Sequence, residues 1–182
     1  MKKSFMVLLI VLIIPSLSLA KRGTVEANLG YFYPVFEDAF QDIYGGGLAY
    51  GGDLTLDVWK NLGIWFGVSP FSRTGELSFT QEETKLALAS FVLGANYTFL
   101  TSPVNFYAGL GARLVLYKES NVLGEIKDTG FGFEVKVGAY KKILAGFFAD
   151  LFVGLSYCVM QPADFKINVG GIEAGIGLGY EF

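Results

Sequence analysis

The stretch GIGLGYEF, residues 175–182, shows the pattern that decides the fold. Apolar side chains occupy every second position from Ala174 to Phe182, and glycines and Glu181 stand between them. A period of two is typical of a β-strand, because successive side chains point to opposite faces of the sheet. The stretch therefore predicts a strand that has one apolar face with aromatic rings at its end and one small or charged face.

The same alternation recurs about every twenty residues from Val25 onward and gives eight segments in total. Several segments run to 12 or more residues, whereas strands of soluble proteins typically have about five or six. Tilted strands of about 9 to 11 residues are long enough to cross a bilayer. The segment lengths therefore favour membrane-spanning strands over a soluble sandwich.

The apolar faces of these segments carry large rings such as Phe106, Phe133 and Phe147. An eight-stranded barrel has a lumen just wide enough for side chains, and such rings would overfill it. Glycines and charges fit the lumen better, so the apolar faces are expected to point outward into lipid. We therefore predict an all-β fold, a closed eight-stranded antiparallel up-and-down transmembrane barrel.

The spacers between segments alternate in length. Those after the even-numbered segments are short, at residues 60–61, 101–103 and 141–144. Those after the odd-numbered segments are longer and polar, at residues 34–46, 72–85, 118–130 and 161–168. Short turns on the periplasmic side and longer loops outside are typical of outer-membrane barrels, so both chain ends are expected in the periplasm.

Residues 1–20 form the one long apolar run of the chain. Lys2 and Lys3 precede an apolar core that ends before Pro15, and small residues close the segment at Ala20. This order predicts a secretory signal peptide cleaved after Ala20, with residues 21–182 forming the exported barrel domain. An uncleaved anchor is the alternative, disfavoured because the apolar core is short. The only cysteine, Cys158, excludes an intramolecular disulfide.

The last segment has a further feature in its outward residues Ile176, Leu178, Tyr180 and Phe182. This pattern resembles the β-signal of the small bacterial outer-membrane β-barrel superfamily, which includes OmpA-transmembrane-like, OmpX-like and OmpW-like proteins. The resemblance implies a monomer in the outer membrane of a Gram-negative-type bacterium, in contact with lipid and lipopolysaccharide. It also implies insertion by the barrel-assembly machinery.

The composition bears on catalysis and on partners. The chain has no histidine, which excludes a Ser-His-Asp triad, a histidine general base and histidine-containing metal sites. Small barrels of this superfamily that are enzymes rely on a histidine, so we expect no enzymatic activity, no metal and no cofactor. The formal charge of −3 gives no indication of a nucleic-acid partner.

The inward faces carry eight ionisable residues: Glu26, Asp53, Asp57, Glu134, Asp150, Glu173, Arg113 and Lys136. Hairpin geometry predicts that Arg113 lies opposite Glu134 and that Lys136 lies opposite Asp150. Glu173 is expected at the height of Arg113, which predicts a cluster of Arg113 with two glutamates.

Two functions fit this arrangement. In the first, the charges form a hydrogen-bonded plug, and the barrel is a structural or surface-interaction protein. In the second, the lumen is a narrow channel or transporter for small solutes or apolar molecules, as the resemblance to OmpW-like proteins implies. Six acids cannot all pair with two bases, so some acids are neutral or water reaches the lumen.

Overall fold

The computed structural model describes residues 22–76, 83–99, 103–122, 124–162 and 166–182. The signal peptide predicted over residues 1–20, with its cleavage after Ala20, lies outside these residues. Within the described part of the chain, no helix is long and apolar enough to cross a membrane.

The described chain forms nine strands and one short helix. The strands are β1 Gly23–Pro34, β2 Gly47–Trp59, β3 Leu62–Glu76, β4 Glu83–Phe99, β5 Asn105–Asn121, β6 Gly124–Leu144, β7 Phe147–Met160, β8 Ile167–Asn168 and β9 Gly171–Glu181, and the helix is α1 Asp38–Tyr44. Consecutive strands from β1 to β7 pair antiparallel, β7 pairs with β9, and β9 pairs with β1. The two-residue β8 pairs only with the end of β7. The eight long strands thus close into a ring, which confirms the predicted barrel.

The ring closes between the first and last strands. Leu29 pairs with Ile176, and Val25 pairs with Tyr180. Gly23 and Phe182 then exchange backbone hydrogen bonds of 3.1 and 3.0 Å. Closure leaves none of the eight long strands at an open sheet edge over this length, which is the requirement for spanning lipid.

The apolar faces point outward, as predicted. Leu48, Leu110 and Phe131 are 68%, 61% and 73% exposed on the outside of the ring. Exposed aromatic rings flank this apolar surface near both ends of the barrel. At the end with the chain termini, Phe147 packs on Tyr180 at 5.1 Å. Two such girdles around an apolar band are the usual outer surface of a membrane barrel.

Two of the predicted long loops are largely strand. β3 runs to Glu76 and β4 begins at Glu83, while β5 ends at Asn121 and β6 begins at Gly124. The predicted loops at 72–85 and 118–130 are therefore wrong over most of their length. Their outer parts carry charged and polar side chains on both faces, because both faces meet water, and this removes the alternation that marks a strand. Residues 77–82 and 123 lie outside the described residues.

The first long loop contains α1, which the sequence pattern did not predict. The helix has only seven residues, too short to show a helical period. Phe40 and Tyr44 on α1 are buried. They point into the end of the barrel away from the chain termini, where they join inward side chains of the strands.

These side chains form an apolar plug. It consists of Phe32, Phe40, Tyr44, Ala49, Phe71, Leu86, Leu88, Val115, Tyr117, Cys158, Met160 and Val169. Leu88 and Val115 interrupt the alternation of their segments, and the plug explains why. Both are inward residues at a height where the lumen is apolar, and Val115 is 1% exposed.

Candidate functional site in the barrel lumen

Arg113 is the centre of a charged cluster below the apolar plug. Its Nη1 donates to Glu134 Oε2 at 2.6 Å, and its Nη2 donates to Ser90 Oγ at 2.8 Å. Arg113 is 7% exposed. The structure therefore brings together Arg113 and Glu134 as the hairpin spacing suggested. Glu173 is close enough to interact electrostatically with both residues, although no ion pair to it is found among the described residues.

Lys136 has a different partner from the one that the sequence predicted. Its Nζ lies 2.5 Å from Asp53 Oδ2, across the lumen on β2, so the predicted pairing with Asp150 is wrong. The error comes from the hairpin between β6 and β7. The turn was placed at 141–144, but β6 continues to Leu144, and Gly146 makes the turn with a φ of +86°. This shifts the register so that Lys136 pairs with Gly154 instead.

Asp53 accepts three hydrogen bonds. Besides Lys136, its carboxylate accepts from Asn28 Nδ2 at 2.8 Å and from Trp65 Nε1 at 2.8 Å. The Lys136 ammonium also lies 4.3 Å from the centre of the Phe152 ring. These contacts fix both charges of the pair in the middle of the lumen, since each has several partners.

Glu26 and Asp150 lie near this pair and keep unused hydrogen-bonding capacity. Tyr107 donates to Asp150 Oδ2 at 2.7 Å. The other oxygen, Asp150 Oδ1, and the buried Glu26 Oε1 have no hydrogen-bond partner in the structure. Glu26 Oε1 rests against Gly177, where an added Cβ would lie 2.0 Å from it. A side chain at position 177 would therefore have to displace the carboxyl group of Glu26.

Asp57 faces the lumen, as predicted, but lies apart from the buried charges. It is exposed near the end of β2 and lines the open end of the lumen. β2 has a register irregularity between Asp57 and Trp59 as it approaches the turn. The regular alternation of the strand therefore ends just after Asp57.

A cavity of about 550 Å³ occupies the half of the lumen nearest the chain ends and opens at that end. Its floor includes Glu26, Asp53 and Lys136. Charges of both signs surround its mouth: Arg22, Asp57, Lys60, Lys142 and Glu181.

One wall of this cavity is aromatic. The rings of Tyr107 and Tyr140 are 6.4 Å apart, and those of Tyr140 and Phe148 are 5.1 Å apart. Trp65 also lines the cavity near its floor, and Trp59 lines it at the mouth.

Between the cavity and the plug lies a void of about 30 Å³, lined by Glu134, Lys136 and Glu173 among others. This volume holds one or two water molecules. In the described part of the chain, the lumen thus has an open polar half, a narrow charged middle and an apolar plug. No group of His, Cys, Asp or Glu among the described residues is arranged to hold a metal ion.

The cavity and its aromatic wall were not predicted, although the sequence contains a signal for them. Inward aromatic residues stand opposite inward glycines on neighbouring strands. A Cβ added at Gly138 would meet the Tyr107 ring at 2.5 Å, and one added at Gly179 would meet the Phe148 ring at 2.2 Å. The glycines make room for rings that lie flat along the lumen wall.

No protein-family model matches the chain, and no curated protein matches it in sequence. Solved structures do match. Neisserial surface protein A is 22% identical with a TM-score of 0.62, and the match covers 88% of this chain and 97% of that one. The chain has the fold of the small eight-stranded outer-membrane β-barrels.

Two further outer-membrane barrels match over similar lengths. The attachment invasion locus protein Ail of Yersinia pestis is 17% identical with a TM-score of 0.58, over 88% of this chain and 98% of that one. The outer membrane protein W of E. coli is 14% identical with a TM-score of 0.57, over 90% of this chain and 98% of that one. At these identities the likeness establishes the barrel fold alone.

Proposed function

We propose that this protein is an integral outer-membrane barrel with a closed lumen, which serves as a structural or surface-interaction protein of the cell envelope. The proposal assigns it no catalytic activity. Its outward apolar surface and aromatic girdles support membrane insertion, because a soluble protein would expose that surface to water at a large cost. The similar solved structures are themselves outer-membrane proteins.

The apolar plug is the observation that carries this proposal. Twelve buried side chains fill the lumen at one end, and water does not enter a closely packed apolar region. The long β3–β4 and β5–β6 hairpins stand at the same end, and the short turns stand at the other. By the usual orientation of such barrels, the plug faces the cell surface and the cavity faces the periplasm.

The surface-interaction role rests on the outer parts of β3 to β6. These strands continue past the ring, and β5 pairs with β6 up to Asn121 and Gly124. Charged side chains such as Lys118 and Glu125, whose ion pair measures 2.6 Å, cover this extension. A monomer would present it to lipopolysaccharide and to molecules outside the cell.

Planar-bilayer conductance tests the proposal. The wild-type protein is expected to give no repeated current steps. Replacement of α1, Asp38–Tyr44, by a Gly-Ser segment of equal length should produce steps, because it removes Phe40 and Tyr44 from the plug. Ohmic steps in the wild type that change with Asp53→Asn would refute the closed lumen.

That refuting outcome would support a second candidate, a narrow channel or transporter for small solutes. The observation that favours it is the void of about 30 Å³, which extends the polar path from the cavity toward the plug. A channel would require the plug to rearrange.

The proposal includes the route of assembly. Export by the predicted signal peptide would deliver the chain to the periplasm, where the barrel-assembly machinery would engage β9. The outward residues Ile176, Leu178, Tyr180 and Phe182 of this last segment are 41% to 60% exposed. They are therefore available to a partner on the outside of the barrel.

A further inference from the structure

The periplasmic cavity has properties that a closed structural barrel does not need. Its volume of about 550 Å³ lies within the range of small-molecule sites, roughly 300 to 1,000 Å³. Glu26 at its floor stands four residues along the chain from Arg22 at its mouth, which corresponds to about 13 Å of strand. The cavity is deep enough to surround a small organic molecule.

At and behind the floor, three acidic side chains surround one lysine. Glu26, Asp53 and Asp150 are close enough to interact electrostatically, and Lys136 is the cation that interacts with all three. Lys136 is held by Asp53, and among the described residues no ion pair reaches Glu26 or Asp150. Asp150 is 2% exposed, and one of its oxygens is without a partner. Buried carboxylates in such a setting favour a positively charged neighbour.

The aromatic wall suits a cation with an apolar body. The neighbouring, mutually tilted rings of Tyr107, Tyr140 and Phe148 offer both hydrophobic area and negative ring faces, which attract ammonium groups. The lumen already contains one example of this interaction, since Lys136 Nζ lies 4.3 Å from the Phe152 ring centre.

An anionic ligand would find cations at the mouth of the cavity but not at its floor. Arg22 and Lys60 line the mouth, and Lys142 there is paired with Glu181 at 2.8 Å. At the floor, Lys136 is held by Asp53 at 2.5 Å, and the acidic side chain of Glu26 lies near it. The floor therefore suits a cation better than an anion.

We propose that this cavity binds a small organic cation, an amine with an apolar body, from the periplasmic side. The ammonium group lies against Glu26 at the floor, and the apolar part packs on the wall of Tyr107, Tyr140 and Phe148. This site is separate from the apolar plug, so it does not depend on whether the barrel conducts.

Benzylamine is a suitable probe because it combines one ammonium group with one ring. The chain has two tryptophans, Trp65 near the floor and Trp59 at the mouth, which give two indole N–H signals in an NMR spectrum of the folded protein in detergent. The signal that disappears in a Trp59→Phe variant belongs to Trp59, and the signal that remains belongs to Trp65. Benzylamine is expected to shift the Trp65 signal with a saturable titration curve.

Two analogues separate charge from shape. Benzyl alcohol has a similar shape without the charge, and benzoate has the opposite charge. Each should need at least about tenfold higher concentration than benzylamine to give the same shift, because each lacks the charge-assisted contact at the floor. The same titrations with the two analogues also show how much of the shift comes from partitioning of the compounds into the detergent.

Variants locate the site. Glu26→Gln keeps the side-chain shape and should weaken benzylamine binding by about tenfold or more. Glu173→Gln is the matched control, since it removes the same charge from the lumen outside the cavity and should leave affinity within about twofold. Tyr140→Leu is a second test at the wall and should weaken binding by about threefold or more. The mobility of unheated samples in gels shows which variants are folded.

Three results would overturn the proposal. The first is a linear, non-saturating response to benzylamine. The second is equal affinity for benzyl alcohol. The third is unchanged binding in folded Glu26→Gln or, if that variant does not fold, in folded Tyr140→Leu. None of these results bears on the conductance test of the closed lumen.

Discussion

Replacement of Arg113 by methionine is expected to destabilise the barrel far more than replacement of its partner Glu134 by glutamine. Arg113 is 7% exposed and donates to Glu134 at 2.6 Å and to Ser90 at 2.8 Å. Arg113→Met leaves Glu134 and Glu173 without their cation, and stranding a buried charge costs about 3 to 5 kcal/mol.

Glu134→Gln should lower the free energy of unfolding less than Arg113→Met does, for two reasons. The glutamine oxygen still accepts from Arg113, and Glu173 remains nearby as a counter-charge. We therefore expect a loss of about 1 kcal/mol in the free energy of unfolding. Neutralising both Glu134 and Glu173 in the Arg113→Met background should recover most of the loss, because no buried charge is then left unpaired.

The measurement is urea-induced unfolding in lipid vesicles, followed by tryptophan fluorescence under conditions where refolding and unfolding coincide. Ser90→Ala is a control that removes a single neutral partner and should cost about 1 kcal/mol. Equal losses for Arg113→Met and Glu134→Gln would refute the reasoning. Failure of the double neutralisation to restore stability would show that Arg113 acts by packing.

Three further outcomes are expected. Leu110→Arg, at the middle of the outward apolar surface, should lower the free energy of unfolding in lipid by about 2 to 4 kcal/mol. Leu144→Arg, beside a turn, should lower it by about 1 kcal/mol or less. Equal losses in vesicle unfolding would contradict the membrane placement. Gly177→Ala should lower the free energy of unfolding by about 1 to 3 kcal/mol, because the added Cβ meets a glutamate oxygen at 2.0 Å. Gly154→Ala should change it by no more than about 0.5 kcal/mol, because the nearest atom is 3.7 Å away. Similar denaturation midpoints for the two variants would speak against the tight fit at Gly177. Deletion of Phe182 should reduce insertion in cells far more than refolding in detergent. Burial of one ring contributes roughly 1.5 to 3 kcal/mol to stability, whereas the same ring can be the anchor that a partner recognises. Small and equal losses in both assays would reject the assembly signal.

The barrel could be predicted from the sequence because its lipid-facing side chains impose a strict period of two. That constraint holds only where one face meets lipid. Beyond the membrane, as at Thr74 and Lys118, both faces meet water and the period disappears, so the strand extensions were taken for loops. The short helix α1 was missed because its folding depends on the plug that Phe40 and Tyr44 enter, rather than on a local pattern.

Within the lumen, one contact inside a hairpin could be predicted, whereas contacts across the barrel could not. Arg113 and Glu134 belong to neighbouring strands, and their spacing from the turn places them together. Asp53 reaches Lys136 from β2, and no spacing along the chain encodes that distance. The pairing predicted for Asp150 was wrong because it depended on the position of the turn, where an error of two residues moves the partner by four residues, about 13 Å.

The outer extension of β3 to β6 has a consequence for how the protein would be recognised from outside the cell. Because it is sheet rather than loop, neighbouring points on its surface belong to different strands, as with Thr74 and Lys85, or Glu119 and Ile126. An antibody or receptor bound there would contact a discontinuous epitope. Linear peptides copied from either hairpin would compete poorly for it, and binding would be lost when the barrel is unfolded by heat.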